Sequence, residues 1–287
     1  MVNSYGYQYV VAVAQQQYQA VSKSKKTEYV VGDQVEVNIL NQQQLQIIKL
    51  VARKNLVYRM DHNRSKIIAS NIDSLFIVIA AKPNFNINFL NSCLIFAESA
   101  EIPAVIIINK LDLVETQELV KQVENLYSQQ LHYSVLKISA LDDCSNLISQ
   151  LQNKRTLLLG QSGVGKSTLI NKLIPNAMTR TGIISKSEAS GCHTTTNATL
   201  YQLDSTTSII DCPGLQEFGL YHLQLENLVY YFPELQPYIN KCKYRNCKHT
   251  HETQCAIKDA FADSAIDVMR YNFFQALSAK LANKSKY

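Results

Sequence analysis

The chain has 287 residues, of which 46% are hydrophobic and 18% charged. That is apolar enough to fill a core, too sparsely charged for a disordered chain, and long enough for one large domain or two to three small ones. Seven cysteines, an odd and unevenly spaced set, argue for reduced thiols inside a cell. The Met1 end lacks a basic stretch followed by a long apolar run. The longest apolar runs, such as Leu75–Ala81 and Ala104–Ile108, are of strand length. A cytoplasmic protein without a membrane span is therefore expected. The net charge of +5 is uneven: residues 1–68 carry nine Lys/Arg against four Asp/Glu, residues 69–222 ten against thirteen, and residues 223–287 nine against six. Basic ends around a slightly acidic middle suit end domains that touch polyanions, or else ordinary solvated lysines.

In chain order, Tyr7–Val13 and Glu28–Ile39 read as strands around a turn at Gly32-Asp33, with a basic loop at Ser22–Thr27. About five strands in residues 1–68 fit a small OB-like barrel, although Gln15-Gln16-Gln17 and Gln42-Gln43-Gln44 blur the periodicity. From Asp73 the texture changes. The continuous apolar run Leu75–Ala81 predicts a strand buried on both faces, Ala104–Ile108 is a second buried run, and Val135–Ile138 and Thr156–Leu159 read as further strands. Helical stretches at Asn88–Ala100, Glu115–Gln130 and Leu147–Leu151 separate them, which is the pattern of an α/β sheet. Past Asp211 the strand signal stops; Leu223–Phe232 and Ala265–Lys280 read as helices. The predicted domains are an OB-fold RNA-binding unit at 1–68, an α/β unit at 69–222 and a helical metal-binding unit at 223–287.

The run Gly160-Gln161-Ser162-Gly163-Val164-Gly165-Lys166-Ser167-Thr168 matches G-x-x-x-x-G-K-[ST], with a strand before it and a helix-compatible segment after it. Glycines let backbone N–H groups converge on phosphate oxygens, and the positive end of the following helix adds to that field. Lys166 would reach the β- and γ-phosphates and Ser167 would offer its hydroxyl to Mg²⁺. Asn109-Lys110-Leu111-Asp112 ends a buried strand, where ligands bind in open α/β sheets. A carboxylate at Asp112 accepts from both guanine N1–H and the exocyclic amine, a donor pair that adenine lacks, so GTP is favoured over ATP. Ser139-Ala140 fits the supporting loop near guanine O6.

Asp211-Cys212-Pro213-Gly214 follows an apolar strand end, so Asp211 would serve the Mg²⁺ shell and the Gly214 N–H would sense the γ-phosphate. Gly191-Cys192-His193-Thr194-Thr195-Thr196 is a switch-like loop, in which Thr195, or alternatively Thr194, would ligate Mg²⁺ only while the γ-phosphate is present. Leu215 stands where Ras-like proteins carry a water-orienting glutamine, so intrinsic hydrolysis should be slow. His193 is the nearby imidazole proposed for catalysis beside Thr195 and Lys166; a merely structural histidine is the other reading.

Cys242-x4-Cys247-x-His249-x5-Cys255 sets four soft or borderline ligands among Lys241, Lys243, Arg245 and Lys248. A closed Cys₃His set is the chemistry of one structural Zn²⁺ per chain, with His251 as the rival to His249.

The guanine motifs at 109–112 and 139–140 precede the phosphate loop and switch motifs, an order circularly permuted from ordinary G domains. Together with Arg53-Lys54-Asn55, Arg59, Asn71-Ile72-Asp73 and the Cys/His set, the chain resembles the ribosome small-subunit-dependent GTPase family (RsgA, also called YjeQ) over nearly its whole length. The resemblance implies an OB-fold, a permuted G domain and a zinc domain. It further implies GTP/GDP and Mg²⁺ as ligands, the 30S subunit and 16S rRNA as partners, and GTP hydrolysis stimulated by the subunit late in its maturation. A monomer with no membrane partner is expected. Cys192, Cys212 and Asn91-Ser92-Cys93 depart from the family pattern. The alternatives are an RNA-binding module in which GTP is a structural ligand, or a different permuted GTPase acting on ribosome assembly.

Overall fold

The computed structural model describes residues 1–5, 8–14, 16–23, 28–61, 64–142, 144–175, 198–212 and 220–284. Its framework is a sheet of eleven strands in the order β10-β9-β8-β11-β13-β12-β1-β2-β3-β5-β4. The first half is the predicted parallel sheet. It comprises β8 (Ser74–Ile79), β9 (Ala104–Ile108), β10 (Ser134–Lys137), β11 (Arg155–Gly160) and β13 (Ser208–Asp211), with β12 (Thr199–Gln202) antiparallel on β13.

The continuous apolar runs form β8, β9 and β11 because both faces of the sheet are covered there, while β10 at the edge is only part-buried. On β8, Leu75, Ile77 and Ile79 enter one core, while Phe76 and Val78 enter another, as the two-residue strand period requires. The first core is filled by α1 (Ile87–Ser99) and by α2 (Thr116–Val123), which continues as a π-helical stretch over Glu124–Gln130. The second core is filled by α3 (Ser145–Leu151) and α4 (Lys166–Leu173). Each fully buried Leu or Ile contributes about 1.5–3 kcal/mol.

The N-terminal strands are β1 (Asn3–Tyr5), β2 (Gln8–Val13), β3 (Gln16–Ser22), β4 (Val35–Ile39) and β5 (Gln44–Leu50), with β3 and β5 parallel. They carry their own apolar cluster of Tyr9, Val11, Ala20, Tyr29, Leu45 and Ile47. Of the glutamines that blur the sequence pattern, Gln16 and Gln17 lie on β3 and face solvent, Gln44 opens β5, and Gln42 and Gln43 sit in the turn before it; the buried positions of these strands are Ala20, Leu45 and Ile47. The turn at Gly32 is present, but residues 28–31, read as strand, supply only an isolated bridge from Val31 to Ala69. Asp33 is buried and accepts from Arg53 Nε at 2.7 Å, Arg53 Nη2 at 2.8 Å, Ser70 Oγ at 2.6 Å and the Val30 N–H at 2.8 Å. No pairing among the described residues closes β4 back on β1; β1 pairs with β12 through Asn3 and Thr199 and so extends the central sheet. A separate hairpin, β6 (Leu56–Asp61) and β7 (Arg64–Ser70), leads into β8.

A joint of Arg53-Lys54-Asn55 and Asn71-Ile72-Asp73 fixes this end to the central sheet. The Asn55 amide exchanges hydrogen bonds with the backbone of Ile72, both at 2.8 Å, and Asp73 accepts the Arg155 N–H at 2.9 Å. Arg155 Nη1 in turn donates to the Gly32 carbonyl at 2.8 Å.

Beyond β13, Leu223–Phe232 is not the single α-helix expected. It becomes two 3-10 helices, Leu225–Tyr231 and Pro233–Tyr238. Pro233 has no N–H to donate and disfavours helical backbone at Phe232, which is extended at φ −114° and ψ 100°. The short α5 (Ala256–Ala262) and long α6 (Val268–Lys284) follow. Phe232, Phe274, Leu277 and Leu281 join the same core as α1, so the C-terminal segment lies against that face of the sheet. No helix among the described residues is long and apolar enough to cross a membrane.

Candidate functional site

The site lies at the carboxyl ends of β8, β9, β10, β11 and β13, and one side chain ties its loops together. Asn109 is 1% exposed at the end of β9. Its Nδ2 donates to the Val164 carbonyl in the phosphate loop at 2.8 Å, and its Oδ1 accepts the Ala140 N–H at 3.0 Å. A buried amide satisfied at both ends is therefore a strut between three sequence motifs. Its closeness to the loop explains Gly165, which N-caps α4 at φ 101° and where a Cβ would collide with Asn109 Nδ2.

Asp112 receives the Ser139 hydroxyl at 3.1 Å, and the Leu141 N–H donates back to that hydroxyl oxygen at 3.3 Å. Lys110, in left-handed backbone at φ 65°, donates its Nζ to the Lys82 carbonyl at 2.8 Å. Leu111 is 40% exposed and binds only through its backbone, donating to Ile138. The carboxylate, Ser139 and Ala140 thus converge on one rim.

Lys166 opens α4, and its Nζ donates to the Gly160 carbonyl at 2.6 Å and the Gln161 carbonyl at 2.9 Å. Burial pulls its pKa below the ordinary lysine value, with Asp211 acting the other way. Asp211 ends β13 at 5% exposure, and burial pushes its carboxyl up, against the pull of Lys166. Its Oδ1 has no hydrogen-bond partner. A buried carboxylate oxygen left open beside a lysine and a helix N-terminus fits a site for a divalent cation and phosphate. Ser162, Gly163, Ser167 and Thr168 complete the loop and the first turn of α4. Gly191–Thr196, with His193, Thr194 and Thr195, and Pro213–Leu215, with Gly214, lie outside the described residues.

A second cluster gathers Cys242, Cys247, His249 and Cys255, whose ligand atoms all lie within 4.8 Å of one another. His249 Nδ1 is 3.4 Å from both Cys242 Sγ and Cys255 Sγ. His251 is not in the group; its backbone N–H donates to Glu252. Burial pushes the Cys247 thiol up to about 12, and the neighbouring Cys255 and Cys242 thiols add to that. Three thiols and an imidazole packed this closely fit a tetrahedral metal ion, which stabilises thiolates that burial alone disfavours. Cys255 also N-caps α5, and Gln275 of α6 donates to the His249 carbonyl at 2.8 Å.

A model of the RsgA GTPase family matches residues 50–221. The chain is 39% identical over 282 residues to the small ribosomal subunit biogenesis GTPase RsgA of Nitrosospira multiformis, covering 98% of this chain and 90% of that one. The chain belongs to the RsgA GTPase family. The protein of the same name from Neisseria meningitidis serogroup B is 40% identical over 279 residues, 97% of this chain and 90% of that one. Among solved structures, YjeQ from Thermotoga maritima superposes with a TM-score of 0.74 at 25% identity, covering 98% of this chain and 96% of that one. YloQ, a circularly permuted GTPase, gives 0.71 at 24% identity over 99% and 94%. As a member of the RsgA GTPase family the chain binds guanine nucleotide and hydrolyses GTP.

Sequence reasoning missed the strut role of Asn109, having read it only as part of the base-recognition string. It also missed the side chain of Gln161, whose Oε1 accepts the N–H of Asn86, the N-cap of α1, at 2.6 Å. Neither partner is near in sequence, so no local pattern reports these bonds.

Proposed function

We propose that this GTPase acts in biogenesis of the small ribosomal subunit, binding the 30S particle through 16S rRNA as a cytoplasmic monomer and leaving on hydrolysis. The observation that carries the reading is the Asn109 strut, which ties guanine-motif and phosphate-motif loops into one rim although the chain delivers them in permuted order. The names of its full-length relatives supply the ribosomal context. The working division is 1–68 for RNA contact, 69–222 for the nucleotide and 223–287 for the metal unit.

Asp112, Ser139 and Ala140 would recognise the base, with Lys110 and Leu111 beside it. Gly160–Thr168 would hold the phosphates through backbone N–H groups and Lys166. Ser167 and Asp211 would hold Mg²⁺, which offsets phosphate charge when bound. Thr195 and the Gly214 N–H would read the γ-phosphate, and His193 would stand near the attacking water in place of the glutamine that Leu215 replaces. Cys242, Cys247, His249 and Cys255 would hold one Zn²⁺, shaping a loop whose rim is basic and aromatic. There, Lys241 Nζ lies 5.9 Å from the Tyr238 ring and Lys243 Nζ 5.8 Å from Tyr244, which is 46% exposed. Cations beside a half-buried Tyr238 and an exposed Tyr244 suit phosphate contact and base stacking.

Turnover with and without purified 30S subunits tests the reading directly; stimulation by the subunit is expected. Because the γ-phosphate makes contacts that GDP cannot, the subunit should bind about 1–3 kcal/mol more tightly with a non-hydrolysable GTP analogue than with GDP. Thr195→Ala should erase that difference while sparing GDP binding. Equal affinity in both states at one fixed salt concentration would favour the RNA-binding module in which GTP is only a structural ligand.

A further inference from the structure

The C-terminal helix reaches the nucleotide loop through α1. Arg270 of α6 is fully buried, at 0% exposure. Its Nε donates to Glu234 Oε1 at 2.7 Å and its Nη2 to Glu234 Oε2 at 3.3 Å, and its guanidinium lies 4.9 Å from the Phe232 ring. The remaining arm, Nη1, crosses to α1 and donates to Asn91 Oδ1 at 3.0 Å. The same oxygen accepts the Tyr127 hydroxyl at 2.8 Å. Asn91 is itself 0% exposed, and its Nδ2 has no partner. A buried amide that spends only its acceptor is retained for the two donors that converge on it, not for its own satisfaction.

One and a half turns upstream, α1 begins at Asn86, whose N–H is held by Gln161 of the phosphate loop. The loop feeding α1 meets the same site twice more. Lys82 offers its carbonyl to Lys110, and a Cβ on Gly163 would lie 3.3 Å from the Pro83 ring. At the other end, α6 holds the metal-cluster loop through Gln275 and the His249 carbonyl. A helix is stiff along its axis, so constraints on its middle bear on its first turn.

We propose that Arg270 is a positioning residue that acts through Asn91 and α1 on the phosphate loop, so that the Cys/His unit raises nucleotide affinity without touching the nucleotide. The inference rests on Gly160–Thr168 being the phosphate site. Removing Arg270 alone would strand the Glu234 carboxylate in the core. The informative variant therefore replaces both partners, Arg270→Met with Glu234→Leu, an exchange that apolar packing tolerates. With fold and zinc content as in the wild type, it should bind fluorescent GDP and GTP analogues three- to tenfold more weakly. KM for GTP should rise in step and kcat stay nearly unchanged, as when a binding contribution common to ground and transition states is lost.

Asn91→Ala keeps the ion pair intact and should shift affinity in the same direction, and it decides the question if the double variant does not fold. Arg270→Lys should recover part of the loss. A double-mutant cycle of Asn91→Ala with Gln161→Ala should be non-additive, because both act through the first turns of α1; a merely structural role of Asn91 gives additive losses. Unchanged nucleotide affinity in folded variants, or an additive cycle, overturns the coupling. Lys166→Ala separates the two levels: its loss of nucleotide binding leaves the phosphate-loop reading standing beneath either result, whereas retained binding overturns both.

Discussion

Asp112→Asn protein should bind GTP at least ~30-fold more weakly than the wild type, a loss of about 2 kcal/mol, and should accept xanthine nucleotides. The carboxylate is the group on the rim able to accept two hydrogen bonds from guanine at once. It is held for that purpose by the Ser139 hydroxyl at 3.1 Å, which is itself fixed by the Leu141 N–H. An amide at this position presents one acceptor and one donor, so its donor faces a guanine donor and the pair is repelled. Xanthine carries a carbonyl in place of the exocyclic amine and turns that mismatch into a match. The fold should be untouched, because Asn109, not Asp112, carries the struts to Val164 and Ala140. Titration with fluorescent, non-hydrolysable guanosine and xanthosine triphosphate analogues would measure both affinities, with thermal melting as the control. Unaltered GTP affinity in this variant would remove base recognition from Asp112.

Cys247→Ala protein, or wild type stripped with a chelator, should lose about one zinc per chain and melt its C-terminal segment early. Structural zinc in isolated finger peptides contributes about 10–16 kcal/mol. Here apolar packing of Phe232, Phe274, Leu277 and Leu281 persists without metal, so a smaller loss, of the order of 4 kcal/mol, is expected. In a chain of 287 residues that corresponds to about 7 °C in Tm. The cause is electrostatic. Three thiols within 4.8 Å of an imidazole become thiolates only beside a cation. Without one the loop 242–255 rests on local bonds, chiefly the Lys248, Thr250 and His251 N–H groups on the Glu252 carboxylate. Nucleotide binding should survive, weakened by no more than the several-fold that coupling through Arg270 allows. Metal analysis of protein purified without chelator gives the direct check. Absence of zinc together with an unchanged melting curve after chelation would end the structural-metal reading.

What depends on short contiguous strings was legible in the sequence. Three apolar runs become β8, β9 and β11, buried on both faces because no solvated face is available to impose alternation, while Val135–Ile138 becomes the part-exposed edge strand β10. The phosphate loop follows from three glycines and a lysine at fixed spacing, and the Cys/His segment from ligand types within one turn-rich stretch. Local chemistry also explains where the pattern blurs or misleads. Gln-rich β3 and β5 are strands because sheet partners bury Ala20, Leu45 and Ile47, a fact about neighbours and not about glutamine. Leu223–Phe232 carries a helical pattern, yet Pro233 ends it as 3-10 turns.

Which distant residues share a bond is settled by packing in three dimensions. Asn109 meets Val164 across 55 positions, Ser74 meets Thr156 across 82, and Arg270 meets Asn91 across 179. Such contacts carry no periodicity, because the chain between their ends is free to take any length and composition that closes the loop. A buried amide or guanidinium is legible in sequence as a residue type, but its partner is chosen by the packing that excludes water around it.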